Sequence, residues 1–249
     1  LFPSALLEQF LQVFDVEVAP TPLLRDQFAR LRHIVYCEEL RYEPASVNRR
    51  ERDAFDGHAL FCLLTHRESE KPAGCVRLIL ASANRSLALE EHCADSLHVA
   101  ALKELSQDRA EICEFSRLAV DPSFRKRRGE CQANGGDFAS HGRSQDERRI
   151  FSSIGIATLL SAFAAAELLD RERVFGMMEP TLPRLLHRAG IPVRPAGDAM
   201  DYHGRRAAYF ITTEEAVTGM RNDVATLYRA IRSRLASSLH TRDACGAVA

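Results

Sequence analysis

Two apolar runs of this 249-residue chain carry charge in their middles. Gly74 to Leu80 contains Arg77, and Ile112 to Val120 contains Glu114-Phe115-Ser116-Arg117. Both runs are rich in Val, Leu, Ile and Phe and read as buried strands. Charged residues are almost never fully buried unless paired. Removing one partner of a buried pair costs about 3–5 kcal/mol. Arg77, Glu114 and Arg117 therefore need opposite charges nearby, and Asp53 and Asp56 of Asp53-Ala54-Phe55-Asp56 are the obvious candidates. A strand glutamate among apolar neighbours should have its pKa raised by desolvation. Such a carboxyl can move protons near neutral pH. The plainer reading of the same five residues is a structural salt-bridge network that orders a loop and a helix.

The elements that must hold these residues follow from pattern and punctuation. Thr21-Pro22 starts a helix, a capping hydroxyl before a first-turn proline. Leu24, Phe28, Leu31, Ile34 and Val35 continue it at helical spacing, and Pro44 is expected to end the segment. Asp53 to His58 reads as a loop. Ala59 to Thr65 and Ala73 to Leu80 form a predicted antiparallel hairpin across the polar turn Glu68 to Pro72. Ile112 to Val120 is a third strand, closed by Asp121-Pro122. Ser152 to Leu169 is an alanine-rich apolar helix. Arg173 to Met178 and Ala207 to Thr212 are strands, with a helix over Pro180 to Arg188 between them. Thr213 is expected to cap a last helix whose Val217, Met220, Val224, Leu227, Ile231 and Leu235 make an apolar stripe, packing on the domain or on a second subunit of a homodimer.

That order predicts an α/β (α+β) fold, a mixed and largely antiparallel sheet flanked by helices. The domain is expected over 1–212, with the C-terminal helix and tail of 213–249 as an appendage. Residues 125–149 form a polar insertion with seven basic and four acidic residues. An insertion of this length is either functional or disordered. Hydrophobic residues make up 46% and charged residues 27%, and the net charge of -1 gives nucleic acid no general attraction. The apolar runs are shorter than the roughly 20 residues a membrane helix needs. No signal peptide is visible, although the first residue is Leu rather than Met. Seven cysteines lack a C-x-x-C spacing, which argues against disulfide frameworks and zinc. Cys37, Cys62, Cys75 and Cys113 lie in apolar segments, and a reducing cytoplasm is the simplest setting. His58, His92, His187 and His203 have no metal-ligand spacing, and no metal is expected.

Taken together, the motifs resemble a branch of the GNAT acyltransferases that includes acyl-homoserine-lactone autoinducer synthases and N-acyl amino acid synthases. Arg32, Tyr36, Leu40 and Tyr42 stand where that family has its arginine, aromatic and leucine-tryptophan residues. Asp53 and Asp56 match its paired aspartates, Gly74, Arg77 and Leu78 its glycine-arginine-leucine strand, and Glu114, Ser116 and Arg117 its E-x-S-R strand. The resemblance runs from Arg32 to about Ile211 and includes Met178-Glu179-Pro180 and Leu186-His187-Arg188-Ala189-Gly190. The wording is most similar to acyltransferases associated with the PEP-CTERM/exosortase system, through Leu89-Glu90-Glu91-His92-Cys93 and Asp201-Tyr202-His203-Gly204.

The resemblance implies a bacterial cytoplasmic enzyme that moves a fatty acyl group from a thioester to the amine of an amino acid or similar acceptor. The thioester is acyl-CoA or acyl carrier protein, with no permanently bound cofactor. Glu114 is then the first candidate for general base and Asp53 the second. Ser116 could donate to the leaving sulfur or to the acceptor. Arg77 or Arg117 could clamp an acceptor carboxylate, while Arg32, Tyr42 and Asp56 bind substrate or organise the site. Phe115, Leu118, Phe175, Met177 and Met178 could line an acyl channel, although such residues are more often core. The insertion after Arg128 falls where a GNAT enzyme cradles the donor pyrophosphate, and a small-residue helix start, Ile154-Gly155-Ile156-Ala157, follows some 25 positions later. Arg125, Lys126, Arg127 and Arg128 could attract an acidic carrier protein, or be a solvated loop. One alternative is a lactone synthase using S-adenosylmethionine, against which speak Tyr42 in place of tryptophan and the greater length. Another is a non-catalytic acyl- or carrier-protein-binding module. Because residues 129–149 are too polar to supply a core, deleting them is expected to leave the thermal midpoint unchanged; a large drop by calorimetry would refute this.

Overall fold

Phe14, Val16 and Val18 alternate with Asp15 and Glu17, the two-residue period of a strand with one face buried. A computed structural model describes residues 4–19, 21–125 and 153–246. In it Phe14–Val18 is strand β1, preceded by helix α1 (Ser4–Val13). Neither element is among those expected from the sequence, the first of which starts at Thr21. Helix α2 (Pro22–Arg32) starts as its punctuation requires, with Leu24 N–H donating to Thr21 Oγ1 over 3.2 Å. It does not run on as an α-helix towards Pro44. From His33 to Glu39 it widens into π-helical turns and ends at Leu40, a distortion that often marks functional segments.

The hairpin of β2 (Ala59–His66) and β3 (Lys71–Leu80) follows. Two short helices, α3 (Ala88–His92) and α4 (Val99–Leu105), then lead to β4 (Ile112–Val120). Beyond Arg125 the polar insertion lies outside the described residues. Helix α5 (Ile154–Leu168), β5 (Arg173–Met178), α6 (Thr181–Arg188), the short strands β6 (Arg194–Pro195) and β7 (Met200–Asp201), and β8 (Arg205–Thr212) complete the layered part. The last helix is in fact two, α7 (Thr213–Gly219) and α8 (Asn222–Gly246). Thr212, not Thr213, is the cap: its hydroxyl accepts from Glu215 N–H at 3.2 Å while the Glu215 carboxylate accepts from Thr212 N–H at 3.0 Å. This is a reciprocal capping box. The break before α8 comes where Gly219 packs on Gly190. A Cβ at Gly190, whose φ is +86°, would meet the Gly219 carbonyl oxygen at 2.2 Å.

The sheet runs β1-β2-β3-β4-β5-β8-β6, with β7 paired to β8 off that path. Its neighbours are antiparallel except β4 and β5, which are parallel. The fold is therefore the mixed, mostly antiparallel sheet the sequence led us to expect. One face packs on α5 and α8. Phe163 of α5 meets Phe115, and Val224, Leu227, Ile231 and Leu235 of α8 are buried in the same cluster. The C-terminal stripe thus packs on this domain. On the other face α2 and the π-helix cover β2 and β3 through Phe28, Leu31, Val35, Phe61 and Leu63. Beside them α3 and α4 cover β3, β4 and β5 through Leu87, Leu89, Ile79, Phe175 and Phe210. The site lies at the seam between these two clusters. Cys62, Cys75 and Cys113 are buried free thiols, and burial pushes each up to about 12.

Gly74 brings β3 against α5. A Cβ there would sit 2.3 Å from Thr158 Oγ1 and 3.2 Å from Ile154 Cγ2. Thr158 cannot swing away freely, since its hydroxyl donates to the Ile154 carbonyl at 2.8 Å. Gly74→Ala should therefore destabilise the fold by about 1–3 kcal/mol, the usual cost of overpacking. Combining it with Thr158→Ala should cost less than the two single changes added together. Denaturant midpoints of the four proteins check this, and strict additivity would rule the contact out as the cause.

Candidate active site

The geometry of the site begins with a bulge in β4. Arg77 pairs with Ser116 and Cys75 pairs with Ala119, so Arg117 and Leu118 together oppose Val76. Arg117 has φ +52°, a left-handed backbone that costs a side-chain-bearing residue about 1–2 kcal/mol. The extra residue shifts the alternation. Glu114, Ser116 and Arg117 all reach the face covered by α2 and α3, while Phe115 and Leu118 stay on the α5 face. Past the pair Phe115–Gly176, β4 and β5 no longer pair, although both strands continue. The parallel strands splay beside the bulge.

Three guanidiniums meet four carboxylates on that face. Arg77, fully buried, donates from Nη1 to Asp53 at 2.5 Å and to Asp56 at 2.6 Å, and from Nε to Ser116 Oγ at 2.9 Å. Arg32, also fully buried, donates to Asp56 at 2.7 Å and bonds Glu51 through Nε. Arg117 joins Asp53 at 3.1 Å, Glu51 at 3.2 Å and Glu43 at 2.9 Å. Each guanidinium also lies over an aromatic ring: Arg77 over Phe55, Arg32 over Phe28 and Arg117 over Tyr36. Burial works against the Asp53 charge. The hydrogen bond and charge of Arg77, with Arg117 and Arg32, outweigh it and hold the carboxyl below the ordinary range. Asp53 also starts the 3₁₀ turn Ala54–His58 by accepting from Phe55 N–H at 3.0 Å.

Glu114 lies outside that pairing. It is 2% exposed, and its Oε2 accepts from Leu89 N–H at 3.0 Å, in the first turn of α3. Burial raises its pKa to about 7, against the pull of the Leu89 amide, Arg77, the Ala88 amide and Arg117. It is the carboxyl poised to take a proton near neutral pH.

The wall of the site joins Tyr42, expected to bind substrate or organise the site, to residues known only from motif matches, Tyr36, His92, Tyr202 and His203. Glu43 and Arg206, to which sequence reasoning gave no role, complete it. Tyr36 donates to the Leu118 carbonyl at 2.8 Å, so the π-helix grips the bulge. The Tyr42 ring stacks with His203 at 5.4 Å, and His203 lies 3.4 Å from Glu43. Tyr202 stacks with His92, and Arg117, Cys93, Glu114 and Glu43 all lie within electrostatic reach of its phenol. Arg206 of β8 lies over Tyr42, 5.4 Å from the ring centre. Glu43 and Glu51 could have been sought from charge alone, since three buried arginines need more than two aspartates. The Tyr202–Arg206 group carried no such signal. Two grooves, of about 620 Å³ along Arg229 to Ser237 and about 300 Å³ beside Arg30, His33 and Arg50, are lined by none of these residues. Among the described residues no cluster of His, Cys, Asp and Glu is arranged to hold a metal ion.

Residues 31–133 match the family model described as an acetyltransferase (GNAT) domain. A GNAT-type acetyltransferase domain is thus recognisable over this part of the chain. Solved structures share the fold. The CoA-dependent acyl-homoserine lactone synthase BjaI, with MTA, aligns at TM-score 0.61 and 18% identity over 88% of this chain and 89% of its own. TofI, in a ternary complex with an inhibitor and MTA, aligns at 0.59 and 17%, over 86% and 99%. FeeM, an N-acyl amino acid synthase from uncultured soil microbes, aligns at 0.57 and 13%, over 86% and 97%. No curated protein matches the sequence itself.

The residues suggested for an acyl channel divide between the two faces of the sheet. Phe115, Leu118 and Met178 pack with the α5 cluster, whereas Phe175 and Met177 pack on the α3 side with Glu114. Strand alternation forbids a single lining made of all of them. Arg77, whose bonds all go to Asp53, Asp56 and Ser116, organises the site and has no surface left to clamp a ligand. Arg125 is exposed and pairs with Glu39, while Lys126, Arg127 and Arg128 lie outside the described residues.

The network sets a stability prediction. Asp53→Asn leaves Arg77 and Arg117 short of a charge and should cost about 3 kcal/mol at neutral pH. The folded-state pKa of Asp53 is depressed, so its contribution is present above the unfolded value and fades as pH falls through the folded one. The gap between wild type and variant should therefore close in acid. Denaturant unfolding at neutral and acid pH measures it, and a gap that does not change with pH would remove Asp53 from this role.

Proposed function

We propose that this GNAT-type enzyme is an N-acyltransferase that moves a fatty acyl group from an acyl thioester to the amine of an amino acid or similar acceptor. The observation that carries the reading is Glu114, a buried carboxyl of pKa about 7 beside the β4–β5 splay, on the same face as Ser116. The neutral amine attacks the thioester carbonyl carbon, and its proton passes to Glu114 directly or through one water. Negative charge on the carbonyl oxygen meets backbone N–H groups left unpaired where β4 and β5 part. Collapse of the tetrahedral intermediate breaks the C–S bond. The departing sulfur takes a proton from protonated Glu114, directly or by way of the Ser116 hydroxyl, which Glu114 then reprotonates, leaving an amide and a free thiol.

The donor is acyl carrier protein or acyl-CoA. The first turn of α5 packs beside Val120 at the end of β4, where its amides can hold a donor phosphate. The Arg125 cluster would draw an acidic carrier protein. The PEP-CTERM-associated assignment rests on the Leu89-Glu90-Glu91-His92-Cys93 and Asp201-Tyr202-His203-Gly204 motifs, which lie at the site wall through His92, Tyr202 and His203. No helix among the described residues is long and apolar enough to cross a membrane, and we place the enzyme in the cytoplasm.

The test is product analysis. The protein is incubated with palmitoyl-CoA or palmitoyl carrier protein, the common amino acids and S-adenosylmethionine, and products are read by mass spectrometry. An N-acyl amino acid is expected; an acyl-homoserine lactone would replace this reading with the lactone synthase. Below about pH 7, kcat/KM should rise with pH as Glu114 loses its proton. Glu114→Gln should lower it about 10²–10⁴-fold. Stability moves the other way. The folded pKa lies above the ordinary 4.5, so the native state holds the proton more tightly and loses stability as pH rises between the two values. Glu114→Gln should not show that loss. A folded variant with full activity would disqualify Glu114 as the base.

A further inference from the structure

The arginines of the site differ in what remains of their hydrogen-bonding capacity. Arg32, Arg77 and Arg117 give their bonds to carboxylates of this chain. Arg206 is in a different position. Among the described residues it makes one hydrogen bond, from Nη2 to Glu179 at 3.2 Å, and Glu179 is itself half exposed. Its Nε is buried with no partner. Arg171 also has a free Nε, but its Nη1 is spent on the carbonyls of Ala81, Arg109 and Ile112, which is a structural use. The Arg206 side chain keeps 16% of its surface open.

Position completes the argument. Arg206 lies three residues beyond Tyr209, which pairs with Gly176 in the last row shared by β4, β5 and β8. It therefore stands at the open end of the splay. The guanidinium lies over Tyr42, which stacks with His203, and its charge reaches the Tyr36 phenol that holds the β4 bulge. A guanidinium held over a ring, with a desolvated and unused donor, is suited to a carboxylate.

We propose that Arg206 recognises the acceptor's carboxylate, so that the acceptors are amino acids with a free acid rather than simple amines. The inference rests on the N-acyltransferase reading and adds a specificity residue to it. A site built to pair a charged group rejects a ligand lacking it, because its own buried donors are then left unpaired.

The experiment compares an equimolar pool of common amino acids with the matched pool of amino acid amides, using palmitoyl-CoA and palmitoyl carrier protein as donors. N-acylated products are quantified by mass spectrometry for wild type, Arg206→Gln and Arg206→Lys, with thermal midpoints confirming that each is folded. Amides carry more neutral amine at a given pH, so chemistry alone favours them. Wild type should nevertheless prefer the acids by at least about tenfold in kcat/KM. Arg206→Gln should reduce that preference at least about tenfold, chiefly through KM for the acids. Arg206→Lys, which keeps the charge without the fork, should fall between. Equal use of acids and amides by the wild type, or a preference that survives Arg206→Gln, overturns the inference while leaving acyl transfer standing. No N-acylated product from either pool overturns both.

Discussion

Everything at this site depends on three guanidiniums being neutralised inside an apolar sheet. A cation the size of Arg77 with no surface exposed would cost several kcal/mol to desolvate. The carboxylates that offset that cost come from separate parts of the chain. Glu43 and Glu51 lie after the π-helix, Asp53 caps the 3₁₀ turn and Asp56 lies within it; the guanidiniums come from α2, β3 and β4. Each carboxylate but Glu43 bonds more than one arginine, so none of these segments can shift without leaving a charge uncompensated. Most of the loop between Leu40 and Ala59 has no regular structure, and its place is fixed by these bonds.

The same face holds two carboxyls in opposite states, and the contrast separates structure from chemistry. Asp53 touches three guanidiniums and is held below its usual range, locked as an anion. Glu114 is only two residues from Ser116 on β4, yet its direct hydrogen bond comes from a backbone amide, and desolvation prevails. Carboxyls whose surroundings push their pKa values apart are the usual mark of divided labour at a site. The β4 bulge makes the division possible. By turning Arg117 onto the face of Ser116, it brings a third guanidinium to the carboxylate loop without displacing Glu114 from its apolar surroundings.

The sequence disclosed those parts of the fold that have a period or a punctuation mark. The β2–β3 hairpin, β4 and β5 were legible because apolar runs end at turns, and the start of α2 because a capping hydroxyl precedes a proline. Arg77 and Arg117 were visible because charge inside an apolar run is conspicuous, and Arg32 only through the family resemblance. Glu43 and Glu51 were not, because an acidic residue in a polar loop looks like any solvated one. The π-helix escaped for another reason: seven residues of widened helix keep apolar spacing close to that of an α-helix. The acyl-channel residues were grouped by composition, and alternation along β5 then assigned them to different faces. The Tyr202–Arg206 wall sits on the tight turn between β7 and β8, legible only as a motif, and its partners Tyr42, Glu43 and His92 come from distant parts of the chain that no local pattern encodes.

The two faces of the sheet also have different uses on the acyl-transfer reading. The α5 face is apolar to its centre, and its helix begins beside the end of β4. The opposite face carries the ion network, Glu114 and the aromatic wall. A long acyl thioester has an apolar chain and an anionic handle, whereas an amino acid acceptor is small and zwitterionic. Each matches the chemistry of one face. The splay past Phe115 and Gly176 is where the sheet's backbone hydrogen bonding stops, so a thioester carbonyl placed there can be reached from both sides. On this view the bulge and the splay form one device. The strand pairing given up between β4 and β5 exposes the amides an oxyanion requires, and the left-handed residue that makes the bulge contributes a guanidinium to the network holding the site together.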